Sequence, residues 1–176
     1  MVVALFVALV VATLVTRSRT APVESAPPTP SRADLAIKQP EIEEESEGVR
    51  WRLKAEHGLV FDGEGRTALR QIAAIVVDKE RTWTIVADEG DVFQPSPESR
   101  RIELRKNVVV TSNDGYRLET SVLRWQSETR RLWTDVPVRL FRDATVIDGT
   151  TFEMVMGDET SIVGGPVHAR FNGHGE

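Results

Sequence analysis

Residues 51–58 read WRLKAEHG and residues 83–90 read WTIVADEG, so the pattern aromatic-x-aliphatic-x-Ala-acid-x-Gly is written twice at an offset of 32. YRLETSVL (116–123) follows 33 residues further on, with an aromatic, an aliphatic and a small residue in the same slots. TVIDGTTF (145–152) is a degraded fourth copy after another 29, and TDVPV (134–138) and VGGPV (163–167) recur at that same interval. Side chains at alternate positions of an extended chain share a face. Trp51, Leu53 and Ala55 therefore line one side of a sheet, as do Trp83, Ile85 and Ala87, Val108 and Val110, Tyr116, Leu118 and Thr120, Val138 and Leu140, and Phe152, Met154 and Met156. Repeats of about 30 residues without a helical period imply stacked β units, each burying its apolar face against its neighbours. The expected fold is all-β, a repeated antiparallel jelly roll.

Turn signals separate the strands: DGEG (62–65), QPSPES (94–99), NDG (113–115), SETR (127–130), IDGT (147–150) and GDET (157–160). Asn113-Asp114-Gly115 suits a tight hairpin. Gly115, Gly149, Gly164 and Gly165 are expected to serve backbone turns rather than a ligand. The inner slots alternate large residues with Ala, Thr and Gly, and the small ones are expected to leave room for a bulky guest.

Outward from the repeats, the texture changes. Val2–Val15 is apolar apart from one Thr and is closed by Arg17 and Arg19. As a helix its 14 residues would rise about 21 Å, short of a hydrocarbon core of roughly 30 Å. An uncleaved membrane anchor (1–16), a signal peptide and a buried helix all remain open for this segment, although no basic n-region precedes it. Residues 17–40, rich in Pro, Ser, Thr and Ala, read as an extended linker. Glu41, Glu43, Glu44, Glu45 and Glu47 read as a solvated acidic approach to a β domain spanning 41–172, with 173–176 as a tail.

The 176 residues carry a net charge of -5 and no cysteine, which excludes disulfides, thiol nucleophiles and cysteine-ligated metal. No concentrated positive field suits nucleic acid. His57, His168 and His174 lack metal-site spacing, Ser121 and Ser161 lack a G-x-S-x-G turn, and there is no phosphate-binding loop. No enzyme, metal or cofactor is expected. The clusters Arg100, Arg101, Arg105, Lys106 and Arg130, Arg131 suit either lipid phosphates or solubility beside turns.

KNVVVTSNDGYRLETSVLRWQSETRRLWTDVPVRLFRDATVIDGTTFEM (106–154) resembles the LptC family of lipopolysaccharide export, with the likeness extending from Ile42 to Phe171. It is carried by V-x-x-x-DG-x-x-L-x-T-x-x-L at Val110, Asp114, Gly115, Leu118, Thr120 and Leu123, by LWTDVPV, and by the earlier WTIVADEG. The resemblance implies an OstA-like β-jellyroll in the periplasm, held to the inner membrane by a single N-terminal helix. It implies that lipopolysaccharide is accepted from the permease subunits of an inner-membrane ABC transporter and passed to a soluble bridge protein of LptA type. Acyl chains of lipid A would lie against Trp51, Leu53, Trp83, Ile85, Val108, Val110, Leu118, Val138, Leu140, Ile147 and Phe152. The N-terminal edge, with Ile42, Val49 and Trp51, would face the permease, and the C-terminal edge, with Ile162, Val163, Val167 and Phe171, the bridge. Two other readings stay open: a soluble LptA-like carrier released by signal cleavage, and a structural β repeat with a filled core and no cargo.

Overall fold

Near the middle of the long strands the period-two burial breaks. In residues 49–61 the buried positions run Leu53, Ala55, then Gly58, a step of three where alternation demands two. The same step takes Leu69 to Ile72, Ala87 to Gly90, Thr120 to Leu123 and Gly149 to Phe152. A sheet that folds back on itself needs such a slip, because the bend would otherwise carry the inner row outward.

The computed structural model describes residues 32–46, 48–79, 81–96, 99–156 and 160–171. The expected anchor, most of the expected linker and the tail lie outside them. The described residues belong to one unit, Arg32–Glu176. They form thirteen strands: β1 (Leu35–Lys38), β2 (Glu41–Ser46), β3 (Val49–Phe61), β4 (Arg66–Asp78), β5 (Arg81–Ser96), β6 (Ser99–Ser112), β7 (Tyr116–Gln126), β8 (Arg131–Thr134), β9 (Val138–Arg142), β10 (Thr145–Gly149), β11 (Thr151–Val155), β12 (Ser161–Gly164) and β13 (His168–Phe171). Every pairing is antiparallel, and all belong to one hydrogen-bonded sheet.

A crease divides this sheet into two leaves. Strands β3 to β7 cross it. In the first leaf the order is β2, the first half of β3, the second half of β4, the first half of β5, the second half of β6, the first half of β7, then β9, β10 and β13. In the second it is β1, the remaining halves of β3 to β7, then β8, β11 and β12. After β7 the crossings break into separate short strands, so TDVPV and VGGPV are crease segments joining β8 to β9 and β12 to β13. In β6 the slip is a bulge: register shifts between Arg105 and Val108, with Lys106 and Asn107 at φ 63° and 49°.

The repeat is thereby explained. WRLKAEHG and WTIVADEG are alternate strands crossing one crease, and two strands with their hairpin take about 30 residues. Ala55, Ala87, Thr120 and Gly149 stand on one side of the bend, with Gly58, Gly90, Leu123 and Phe152 on the other. The residues are small where the leaves converge. A Cβ on Gly90 would lie 2.8 Å from Ile72 Cδ1 and 2.9 Å from the Glu103 carbonyl oxygen, and one on Gly149 only 2.3 Å from Val163 Cγ1. The small slots are therefore filled by neighbouring strands and hold no space for a guest, contrary to the expectation drawn from size alone.

Three further expectations change. The second half of the 17–40 stretch is not all linker, since β1 pairs Leu35–Lys38 with His57–Val60. The acidic approach is strand β2, whose Glu41, Glu43 and Glu45 pair with Arg52, Lys54 and Arg50 across the register to β3. Of the expected turn glycines, Gly115 takes a left-handed φ of 89° in the β6–β7 hairpin, but Gly149 and Gly164 do not. Gly149 is a buried crease residue, while Gly165, also an expected turn glycine, takes a left-handed φ of 84°.

An apolar groove between two leaves

Away from the crease the leaves diverge, and their inner rows enlarge from Ala and Gly to Trp, Tyr, Ile and Met. Between them lies a cavity of about 110 Å³, lined from the first leaf by Val49, Trp51, Leu53, Ala74, Val76, Trp83, Ile85 and Val110. The second leaf supplies Ile102, Leu104, Leu123, Arg124, Trp125, Leu132, Met154 and Met156. A neighbouring space of about 340 Å³ shares Trp83, Val110, Leu132 and Met154 and continues along Tyr116, Leu118, Leu140, Phe152 and Val163 to Thr160 and Ser161. The second volume falls in the range of about 300–1,000 Å³ occupied by small-ligand sites. Together they make one groove running across the strands.

The floor is a packed core: Leu53, Leu69, Ile72, Leu104, Val108 and Leu123 form one buried cluster, and Trp51, Trp83, Ile85, Ile102, Trp125, Leu140, Met156 and Val163 pack on it while staying partly exposed. Each fully buried aliphatic side chain is worth about 1.5–3 kcal/mol, so the floor holds the leaves together. The half-exposed rows above it forgo part of that gain. Trp125 carries a second cost, because its indole Nε1 is buried with no hydrogen-bond partner among the described residues. An orphan donor of this kind is destabilising by about 1–3 kcal/mol until an acceptor reaches it.

Of the eleven residues expected to line a lipid site, Trp51, Leu53, Trp83, Ile85, Val110, Leu118, Leu140 and Phe152 line the groove. Val108 and Val138 do not: they are 1% and 4% exposed, part of the crease core. Ile147 is half-buried in β10 and lines neither space. The wall contributed by the second leaf, chiefly Ile102, Trp125, Leu132, Met154 and Met156, went largely unassigned in the sequence. The alternation Phe152-x-Met154-x-Met156 carries part of it, and the signal for Trp125 lies in Leu123-x-Trp125, displaced by one residue from the frame set before the crease.

Apart from Arg124, which also borders the cavity, the ion pairs lie outside the groove. On the second leaf's exterior, Asp91 is 6% exposed and bonded by Arg66 at 3.0 Å and Arg105 at 2.5 Å. Arg105 and Arg124 continue to Glu103 at 3.0 and 2.9 Å, and Arg124 to Asp135 at 2.6 Å. Arg124, and with it Arg105, holds the Glu103 carboxyl below its ordinary range despite the desolvation that opposes this. Of the basic clusters, Lys106 pairs with Glu89 and Arg131 with Glu153. Arg101 stacks over Phe93, whereas Arg100 lies 5.1 Å over the Trp51 ring.

The sheet ends in four edge strands. β2 and β1 close the leaves at the N-terminal end, and β13 and β12 at the C-terminal end. Ile162 and Phe171 there are 61% and 77% exposed, with Val167 also exposed and Val163 half-buried on the groove. At the other end Ile42, Val49 and Trp51 are half-buried. A family profile described as "LptC: Lipopolysaccharide-assembly, LptC-related" matches residues 1–168. No curated protein matches the chain.

Proposed function

Because the chain belongs to the LptC family of lipopolysaccharide transport, we propose that its folded sheet is a relay that holds the acyl part of lipopolysaccharide between its leaves. The observation that carries this is the groove: an apolar space open along the side opposite the crease, walled by partly exposed Trp, Ile and Met. Each acyl methylene removed from water is worth about 0.8 kcal/mol, so a twelve-carbon chain needs cover worth on the order of 9–10 kcal/mol. The orphan Trp125 Nε1 favours cargo that brings acceptors with its hydrocarbon, as the carbonyls of acyl linkages do.

In this reading Val2–Val15 is the inner-membrane anchor, the following Pro-rich stretch is a tether, and the sheet works in the periplasm. Cargo comes from the permease subunits of an ABC transporter at the β1/β2 end. It leaves at the β12/β13 end to a soluble bridge protein, where Ile162, Val167 and Phe171 await cover. The sequence carries no phosphate-binding loop, so the driving energy belongs to the transporter.

The test is a titration of the full chain with lipopolysaccharide, followed through tryptophan fluorescence. Saturable binding is expected, and Met156→Glu, which sets a charge at the open side, lowers affinity at least about tenfold, because a buried unpaired charge exceeds 1.4 kcal/mol. A well-folded chain that takes up no lipopolysaccharide would return the sheet to a structural β repeat.

A further inference from the structure

Three of the aromatic rings lining the groove each carry a guanidinium. Arg81 lies 5.7 Å from the centroid of Trp83, Trp83 lies 6.4 Å from Tyr116, and Arg142 sits 4.3 Å over Tyr116. These four side chains form one stack along the open rim of the first leaf, at the starts of β5 and β7 and the end of β9. From the second leaf Arg100 reaches the Trp51 ring. We propose that this rim binds phosphate groups on the headgroup of the cargo while its acyl chains lie in the groove; the proposal rests on the lipid reading above.

The argument is geometric. A guanidinium stacked on a ring gives up its face and keeps its N–H edge, the part that takes a phosphate in a two-pronged bond. Many other arginines are neutralised: Arg66 and Arg105 by Asp91, Arg124 by Glu103 and Asp135, Arg139 and Arg170 by Asp148. Arg142 is different. It donates to the Tyr116 hydroxyl and has no carboxylate partner among the described residues. Arg81 meets Asp114 through Nε at 3.1 Å, one of five N–H groups. The rings that bound the apolar space therefore also fix cations at its rim, where an amphiphile passes from tail to headgroup.

The experiment compares phosphorylated lipid A with the same lipid after phosphatase treatment, both titrated against the full chain. The wild type should prefer the phosphorylated form by about tenfold or more, the worth of one charge-assisted bond. In the double variant Arg81→Gln, Arg142→Gln that preference should vanish while affinity for the dephosphorylated lipid stays unchanged. Arg101→Gln, which removes an exposed arginine from the outer face, should leave the preference intact. Equal binding of both lipids by the wild type would overturn the rim and leave the groove standing, whereas failure of both lipids to bind would overturn both. Inorganic phosphate alone should not saturate at micromolar concentration; if it does, the rim is a free-anion site and the headgroup assignment is wrong.

Discussion

Gly90 stands where β4, β5 and β6 converge at the crease, and two of the three atoms nearest a new Cβ there are the Glu103 carbonyl oxygen and a core leucine methyl. Backbone cannot retreat cheaply, so Gly90→Ala should cost about 1–3 kcal/mol by overpacking, read as a lower midpoint in urea denaturation. Charge gives a second residue-scale expectation. The folded-state pKa of Glu103 is depressed by Arg124 and Arg105. Its contribution to stability is therefore complete above the unfolded carboxylate pKa of about 4.3 and is lost as pH falls through the lower folded value. Melting temperature against pH should fall more steeply on the acid side for the wild type than for Glu103→Gln, and parallel curves would remove Glu103 from the acid response.

Among elements, β1 is the one whose sequence hid it. LAIK (35–38) follows a proline-rich stretch and is too short for alternation to register, yet it lays four residues beside β3. Ile37→Pro would remove an N–H and force a bend in that edge. Amides of β3 between His57 and Val60 should then exchange faster in deuterium, while those of β5 keep their protection. The central strands were legible for the opposite reason: Trp51-x-Leu53-x-Ala55 and Trp83-x-Ile85-x-Ala87 alternate cleanly and end in a shared small-residue signature. Beyond the crease that legibility failed. The slip of one residue moved Gly58, Gly90, Leu123 and Trp125 out of the expected frame, so half of the groove wall could not be assigned. Ion pairs were equally invisible, since the glutamates of β2 find their arginines only through the register with β3.

For the molecule as a whole, the proposed relay makes the two ends of the sheet the places to interfere with transfer while sparing the fold. Ile162→Lys with Phe171→Glu changes side chains that are mostly in solvent, so stability should stay within about 0.5 kcal/mol. Capture of the soluble bridge protein by the full chain should nevertheless be lost, and retained capture would move the interface away from β12 and β13. The chain enters the sheet at one end and leaves it at the other, and no symmetry relates the two: β1 and β2 carry LAIK and EIEEES, β12 and β13 carry SIVG and HARF. A like sheet set beside it end to end meets a surface unlike its own. Any row built that way has an arrow. One member put in backwards would press like against like and break the row, so traffic along it has a heading written in the order of the residues, whatever the slope of affinity inside.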